Sequence, residues 1–146
     1  MKCVIQRVSR ASVTVDQSTV GQIDRGLLVL FGVEKDDDAR QLDYHVGKLL
    51  KLRIFPDEQG KMNRSVQDIQ GGILVVSQFT LAGDCRKGNR PGFDNAKAPQ
   101  EAEQLYLQLV EKLRETSDLI IETGVFGADM QVSLINDGPV TFILEN

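Results

Sequence analysis

Residues 2–16 are dominated by Val, Ile, Ser and Thr, with Cys3, Ile5, Arg7, Ser9, Ala11, Val13 and Val15 on one parity and Val4 and Val8 on the other. A period of two over this length predicts a long β-strand. Both faces carry apolar side chains, so parity leaves open which one is buried. If the first set faces inward, Arg7 goes with it, and a buried guanidinium must be hydrogen-bonded, in a structural or a functional pairing. Asp16-Gln17-Ser18 predicts a hairpin turn, followed by a short strand over 19–23 and a buried strand over the apolar run 26–33.

Residues 36–52 read as a helix: Asp36, Asp37 and Asp38 open it and Lys48 and Lys51 close it, matching the helix dipole. Leu42, Val46, Leu49 and Leu50 form its apolar stripe. His45 flanks the stripe, either as a boundary packing residue or as a base, and no carboxylate or nucleophile is placed by sequence to orient it. A short strand over 53–55 and a turn over 56–61 come next. The strand predicted over 73–81 ends in the polar-aromatic string Ser77-Gln78-Phe79-Thr80-Leu81. A long glycine-containing connection follows over 82–98, the kind of loop that is usually functional or mobile. Pro99 opens the clearest helix, with Ala102, Leu105, Tyr106, Leu109 and Leu113 on one face. Three strands, over 119–122, 131–135 and 140–144, end the chain. With no repeat or linker, residues 1–146 are expected to form one α/β domain, richer in strand than in helix.

Composition narrows the function. The chain has 146 residues, 41% apolar and 26% charged, with a net charge of −4. That is globular composition and one domain in length. Nonspecific coating of nucleic acid is disfavoured, because it requires many phosphates to be neutralised, although a local basic patch can hold an RNA at one place. A single histidine excludes a multi-histidine metal site within one subunit. Cys3 and Cys85 form no CxxC pair, which suits a reduced intracellular protein. The opening residues are broken by charge and no apolar run approaches a membrane span, so a cytoplasmic protein is expected.

Catalytic signatures of the usual kinds are missing. No glycine-rich phosphate loop has the required spacing, and the Asp36–Asp38 run is better explained as a helix start than as a metal site. Two strings stand out instead. Ser77-Gln78-Phe79-Thr80-Leu81 places hydroxyls and an amide at a strand end, where they either face a pocket or satisfy their own backbone. Asn136-Asp137-Gly138-Pro139-Val140-Thr141 reads as a tight turn between two strands. Its Gly-Pro bond has access to the cis form, and Gly138 lets backbone approach a ligand closely. Such a turn presents carbonyls rather than side chains.

Together these strings identify the resemblance. In their order and separation, with Met1-Lys2-Cys3-Val4-Ile5-Gln6-Arg7-Val8, Gly26-Leu27-Leu28-Val29, 57–63 and Gly127-Ala128-Asp129-Met130-Gln131-Val132, the chain resembles the D-aminoacyl-tRNA deacylase (D-tyrosyl-tRNA deacylase) family from end to end. The resemblance implies a single α/β domain with a curved, barrel-like, mostly antiparallel sheet and two main helices. It implies a homodimer without cofactor or metal that hydrolyses the ester of D-aminoacyl-tRNA, with the active site at the interface. Ser77, Gln78, Phe79 and Thr80 would form the catalytic site with Gly138 and Pro139 of the other subunit, whose Gly-Pro bond is cis in the family. Arg7 would hold that turn, Asn136 and Thr141 belong to the same signature, and Phe126 and Met130 would line the terminal-adenosine pocket.

A filter of rigid backbone needs no side chain matched to any one amino acid. It rejects the L enantiomer by clash and tolerates many D side chains, and it also implies activity on glycyl-tRNA. Thr80 is a conceivable nucleophile but has no base beside it in sequence. The other route uses the N–H groups of Phe79 and Thr80 on the oxyanion while a ribose hydroxyl assists water. Arg86, Lys87 and Arg90, with Lys97 beyond, are either acceptor-end phosphate contacts or solvated loop cations. The rival functions are a noncatalytic RNA-binding dimer and a hydrolase of small D-amino-acid esters. Neither a membrane nor DNA is an expected partner.

Overall fold

The computed structural model describes residues 1–146. Its organising element is β1 (Lys2–Val15). β2 (Ser18–Ile23) and β3 (Gly26–Gly32) follow one another antiparallel to β1, pairing with its C-terminal and N-terminal portions respectively. Gly72–Ser77 and Ile121–Thr123 extend the sheet in parallel beyond β3. Gln131–Glu145 pairs antiparallel with β1 from Lys2 to Thr14. Two helices, α1 (Leu42–Lys51) and α2 (Pro99–Thr116), and a small ladder of β4 (Phe55–Pro56) with β5 (Met62–Arg64) complete the domain. In chain order the remaining strands are β6 (Gly72–Ser77), β7 (Ile121–Thr123) and β8 (Gln131–Glu145). The sheet curls until β2 meets β7: a Cβ placed on Gly21 would lie 2.3 Å from the Thr123 carbonyl oxygen. The result is the expected α/β domain with a nearly closed, barrel-like sheet and two helices.

Two apolar clusters hold it together. One lies between sheet and helices, joining Ile5, Val29 and Val75 to Leu49, Leu109 and Leu113. The other lies within the curl of the sheet and includes Val8, Ala11, Val13, Leu28 and Leu74. On β1, Cys3, Ile5, Arg7, Ala11 and Val13 of the first parity set are buried, so Arg7 is indeed carried inside, but Ser9 of that set is exposed and Val8 of the other set is fully buried. Burial pushes the Cys3 thiol up to about 12, whereas Cys85 is exposed, and neither is in a disulfide.

Several predicted boundaries move for identifiable reasons. The helix begins at Leu42 rather than 36, because the three aspartates do different work. Asp37 is buried and accepts from the Met1 amino group (2.6 Å), Glu34 N (2.7 Å) and Gln41 Nε2 (3.1 Å). Asp38 caps a single 3₁₀ turn, Ala39–Gln41, through a capping box with Gln41. His45 is not a boundary residue but fully buried, with Nδ1 3.0 Å from the Gln41 carbonyl oxygen. Burial holds its pKa below the ordinary histidine value, and it sits in the core away from any reacting group. The strand expected over 53–55 is the two-residue β4, and its partner β5 was not anticipated. The strand expected over 73–81 stops at Ser77, where the chain enters a 3₁₀ turn, Phe79–Ala82. The third-last strand sits at Ile121–Thr123, slightly later than expected, and the last two are one continuous β8.

Candidate active site

The first signature is positioned by β3 and β6. Where β6 ends, Gln78 N donates to the Phe31 carbonyl of β3 at 2.8 Å, and the chain folds back across Gly32. Any Cβ at Gly32 would lie 2.8 Å from both the Gln78 carbonyl oxygen and Leu81 Cβ, so glycine is what admits this turn. Gln78 Nε2 donates to Thr80 Oγ1 at 2.6 Å, fixing both side chains. Phe79 is 59% exposed and leans on Phe93, with ring centroids 5.1 Å apart. Gln78 offers no side-chain cap to the turn. The N–H groups of Phe79 and Thr80, at its start, therefore have no acceptor within the turn.

Beside it lies a cleft of about 270 Å³ whose lining includes Ser77, Gln78, Phe79, Gly127 and Met130. Gly127 has φ +74° and open space where a Cβ would be. Of the two residues expected in an adenosine pocket, Met130 lines this cleft, seated against Gly124, where a Cβ would come within 2.6 Å of its sulfur. Phe126 instead packs on Tyr106, centroids 5.8 Å apart, and Tyr106 is anchored through its hydroxyl to the Val75 carbonyl at 2.9 Å. Thr80 is exposed beside the cleft rather than among its lining residues.

The second signature is not a turn between two strands. β8 continues antiparallel to β1 on both sides of it, with Gln6 opposite Thr141 and Val8 opposite Asn136. Arg7 alone on β1 faces Asp137, Gly138, Pro139 and Val140 on β8, so these four residues bulge out of the ladder. The bulge is braced from within. Asn136 Oδ1 accepts from Val140 N at 2.6 Å, and its Nδ2 donates to the Val140 carbonyl (3.2 Å) and Thr141 Oγ1 (3.0 Å). From below, Arg7 Nε donates to the Asp137 carbonyl at 2.8 Å and Nη1 to the Ile54 carbonyl at 2.6 Å, with the Asp137 carboxylate 3.6 Å away. The Gly138-Pro139 peptide is cis and Gly138 has φ +154°. Both residues are exposed while Val140 is buried beneath them.

Within one chain the structure brings Arg7, Asn136, Gly138, Pro139 and Thr141 together, and separately Ser77, Gln78, Phe79, Thr80 and Met130. The bulge does not line the cleft. Two supporting groups escaped sequence reasoning. Ile54 contributes a main-chain oxygen, which leaves no mark in a sequence. Phe93 lies in the irregular connection after Leu81, where no periodicity points to a partner. In that same connection Arg86 is held by Asp84 at 2.7 Å, lowering the carboxylate's pKa, whereas Lys87 and Arg90 have no carboxylate within ion-pair distance. No cluster of three or more His, Cys, Asp or Glu is placed to hold a metal ion. No helix is long and apolar enough to cross a membrane.

The nearly closed sheet with two helices is the architecture of a solved structure described as a probable eukaryotic D-amino acid tRNA deacylase, with a TM-score of 0.81 over 98% of this chain and 97% of that one. At 21% identity that likeness concerns the fold alone. The chain belongs to the D-Tyr-tRNA(Tyr) deacylase family, whose model matches residues 4–145. A D-aminoacyl-tRNA deacylase of Geotalea uraniireducens (strain Rf4) is 59% identical over 99% of this chain and 93% of its own length. One of Clostridioides difficile (strain 630) is 55% identical over 100% and 97%. A solved structure named c-Myc DNA Unwinding Element Binding Protein superposes with a TM-score of 0.95 at 48% identity, covering 100% of this chain and 99% of that one. The family and these deacylase relatives make the chain an enzyme, a hydrolase.

Proposed function

We propose that the chain hydrolyses the ester joining a D-amino acid to the 3′-terminal ribose of tRNA, releasing free amino acid and tRNA in the cytoplasm. The working unit is a homodimer in which Gly138 and Pro139 of one subunit enter the Ser77–Thr80 cleft of the other. The observation that carries this reading is the bulge itself: an exposed backbone elbow, braced from beneath, that lines none of the main clefts of its own chain. It rises from β8, whose exposed Leu134, Ile135, Phe142 and Ile143 make an apolar surface that a second subunit would cover.

In that arrangement the carbonyls of Gly138 and Pro139 accept from the substrate amino group and fix its α-carbon. A D side chain then points to solvent and an L side chain runs into the bulge, whereas glycine, with nothing to exclude, is accepted. Water adds to the ester carbonyl, and the developing oxyanion is met by the free N–H groups of Phe79 and Thr80. Such a donor is commonly worth about 2.7–4 kcal/mol. A ribose hydroxyl of the tRNA takes the proton from water, and the C–O bond breaks with the proton passing to the leaving ribose oxygen. The terminal adenosine lies towards Met130, with Phe126 supporting the wall behind it. Thr80 Oγ1 accepts from Gln78 and has no side-chain base bonded to it, so it positions rather than attacks. Thr80→Ala is accordingly expected to keep substantial activity, and a folded variant reduced to the uncatalysed rate would restore Thr80 as nucleophile.

The direct test is hydrolysis of D-tyrosyl-tRNA and L-tyrosyl-tRNA by the purified protein. Loss of only the D ester supports the reading. Loss of both keeps the hydrolase and discards the chiral filter. Loss of neither, from a folded dimer, leaves a noncatalytic RNA-binding protein.

A further inference from the structure

We infer that Lys48, Lys51 and Arg53, at the end of α1 and just beyond it, form a docking surface for the phosphate backbone of the RNA whose aminoacylated end occupies the partner's cleft. The inference rests on the dimeric deacylase reading and specifies how the rest of the RNA is held. These residues, with Tyr44 and Gly47, border a shallow depression of about 530 Å³. Its one carboxylate, Asp43, is already engaged by Lys112 Nζ at 2.7 Å. Lys48, Lys51 and Arg53 have no carboxylate within ion-pair distance. Asp68 accepts from the backbone N–H and the hydroxyl of Ser65. A Cβ on Gly47 would meet nothing within 4 Å, so the floor of the depression is open. Tyr44 is 41% exposed, and Lys48 Nζ lies 5.5 Å from its ring centroid. Cations interleaved with an exposed aromatic ring are suited to a nucleic-acid backbone.

The placement connects this patch with the site. Arg53 adjoins Ile54, whose carbonyl takes one arm of Arg7, and the other arm holds Asp137 beneath the Gly138-Pro139 bulge. Through Ile54 and Arg7 the chain segment carrying Arg53 is tied to the bulge, and on this proposal the patch lies beside the RNA that leads away from the partner's cleft. Cations at a helix C-terminus also complement the helix dipole, which accounts for Lys48 and Lys51. It does not account for Arg53, which follows the extended C-cap residue Leu52, or for the lack of acidic partners. On a chain of net charge −4, three unpaired cations in one place are where a polyanion is attracted. By contrast, one of the cations in the connection after Leu81 is already neutralised by Asp84.

The experiment compares the parent with a K48Q/K51Q/R53Q variant on two substrates, D-tyrosyl-tRNA and the phosphate-free ester 3′-O-(D-tyrosyl)adenosine, across a salt series. The variant is expected to lose about tenfold in kcat/KM on the tRNA ester at low salt, with a log–log salt slope shallower by about 2, and to keep full activity on the small ester. An unchanged slope, or an equal loss on both substrates, overturns the patch while leaving the deacylase standing. If the parent cleaves neither ester, the deacylase reading falls by itself. Binding of uncharged tRNA then decides the patch, which is overturned if the variant shows the parent's salt slope and supported if its slope is shallower.

Discussion

Gly138→Ala is expected to lower hydrolysis of D-tyrosyl-tRNA by about 100-fold or more while the protein stays folded. The residue has φ +154°, a backbone state open to glycine and strained for alanine. An added Cβ would lie 2.6 Å from Val140 Cγ2 and 2.7 Å from Val140 N, and Val140 cannot retreat because it is buried and its N–H is held by Asn136. The bulge must therefore shift, at a cost of about 1–3 kcal/mol that an exposed loop tolerates without unfolding. A shift of about 1 Å in a positioning group is enough for a loss of about 100-fold in rate. Rates on the D and L esters, with circular dichroism as the fold control, read the outcome. A folded variant as active as the parent would show that the elbow does not touch the substrate. A variant that cleaves both enantiomers would show that it excludes without binding.

The elements that sequence periodicity anticipated are those whose partners lie along their whole length. β3 and α2 were legible because a face of each is continuously buried, β1 because only Ser9 interrupts its buried face, and β2, buried only at Gly21 and Ile23, because a turn signal precedes it. The errors fall where one residue does something local. Asp37 takes the Met1 amino group and Asp38 caps a 3₁₀ turn, so an acidic run that resembles a helix start ends before the helix begins. Gly32 admits a fold-back that stops β6 at Ser77. The second signature has the composition of a hairpin turn, and only the pairing of both flanks with β1 distinguishes a bulge from a reversal. The residues of the two candidate half-sites were visible as signatures. Arg7 and Asn136, which brace the bulge, were named with them, but the Ile54 and Asp137 carbonyls that Arg7 holds were not, because they are backbone atoms that any residue would carry.

Those carbonyls make Arg7 the second position of large expected effect. It is 9% exposed, and its guanidinium spans the Ile54 carbonyl beneath and the Asp137 carbonyl above, joining the end of the α1–β4 connection to the bulge. Arg7→Met keeps the apolar stem and removes both donors. A hydrogen bond to a charged group is worth about 1.5–3 kcal/mol, so a loss of about 3–5 kcal/mol is expected. In a domain of this size that corresponds to a thermal midpoint lower by roughly 10 °C. Deacylation should also fall by about 100-fold at temperatures where the variant is fully folded, because the elbow loses its brace. Arg7→Lys separates charge from shape. A lysine keeps the charge but lacks the planar fork that reaches two carbonyls at once, so it should recover stability more than activity. Equal recovery of both would reduce Arg7 to a buried charge, and a folded Arg7→Met with parental activity would remove it from the positioning of the bulge altogether.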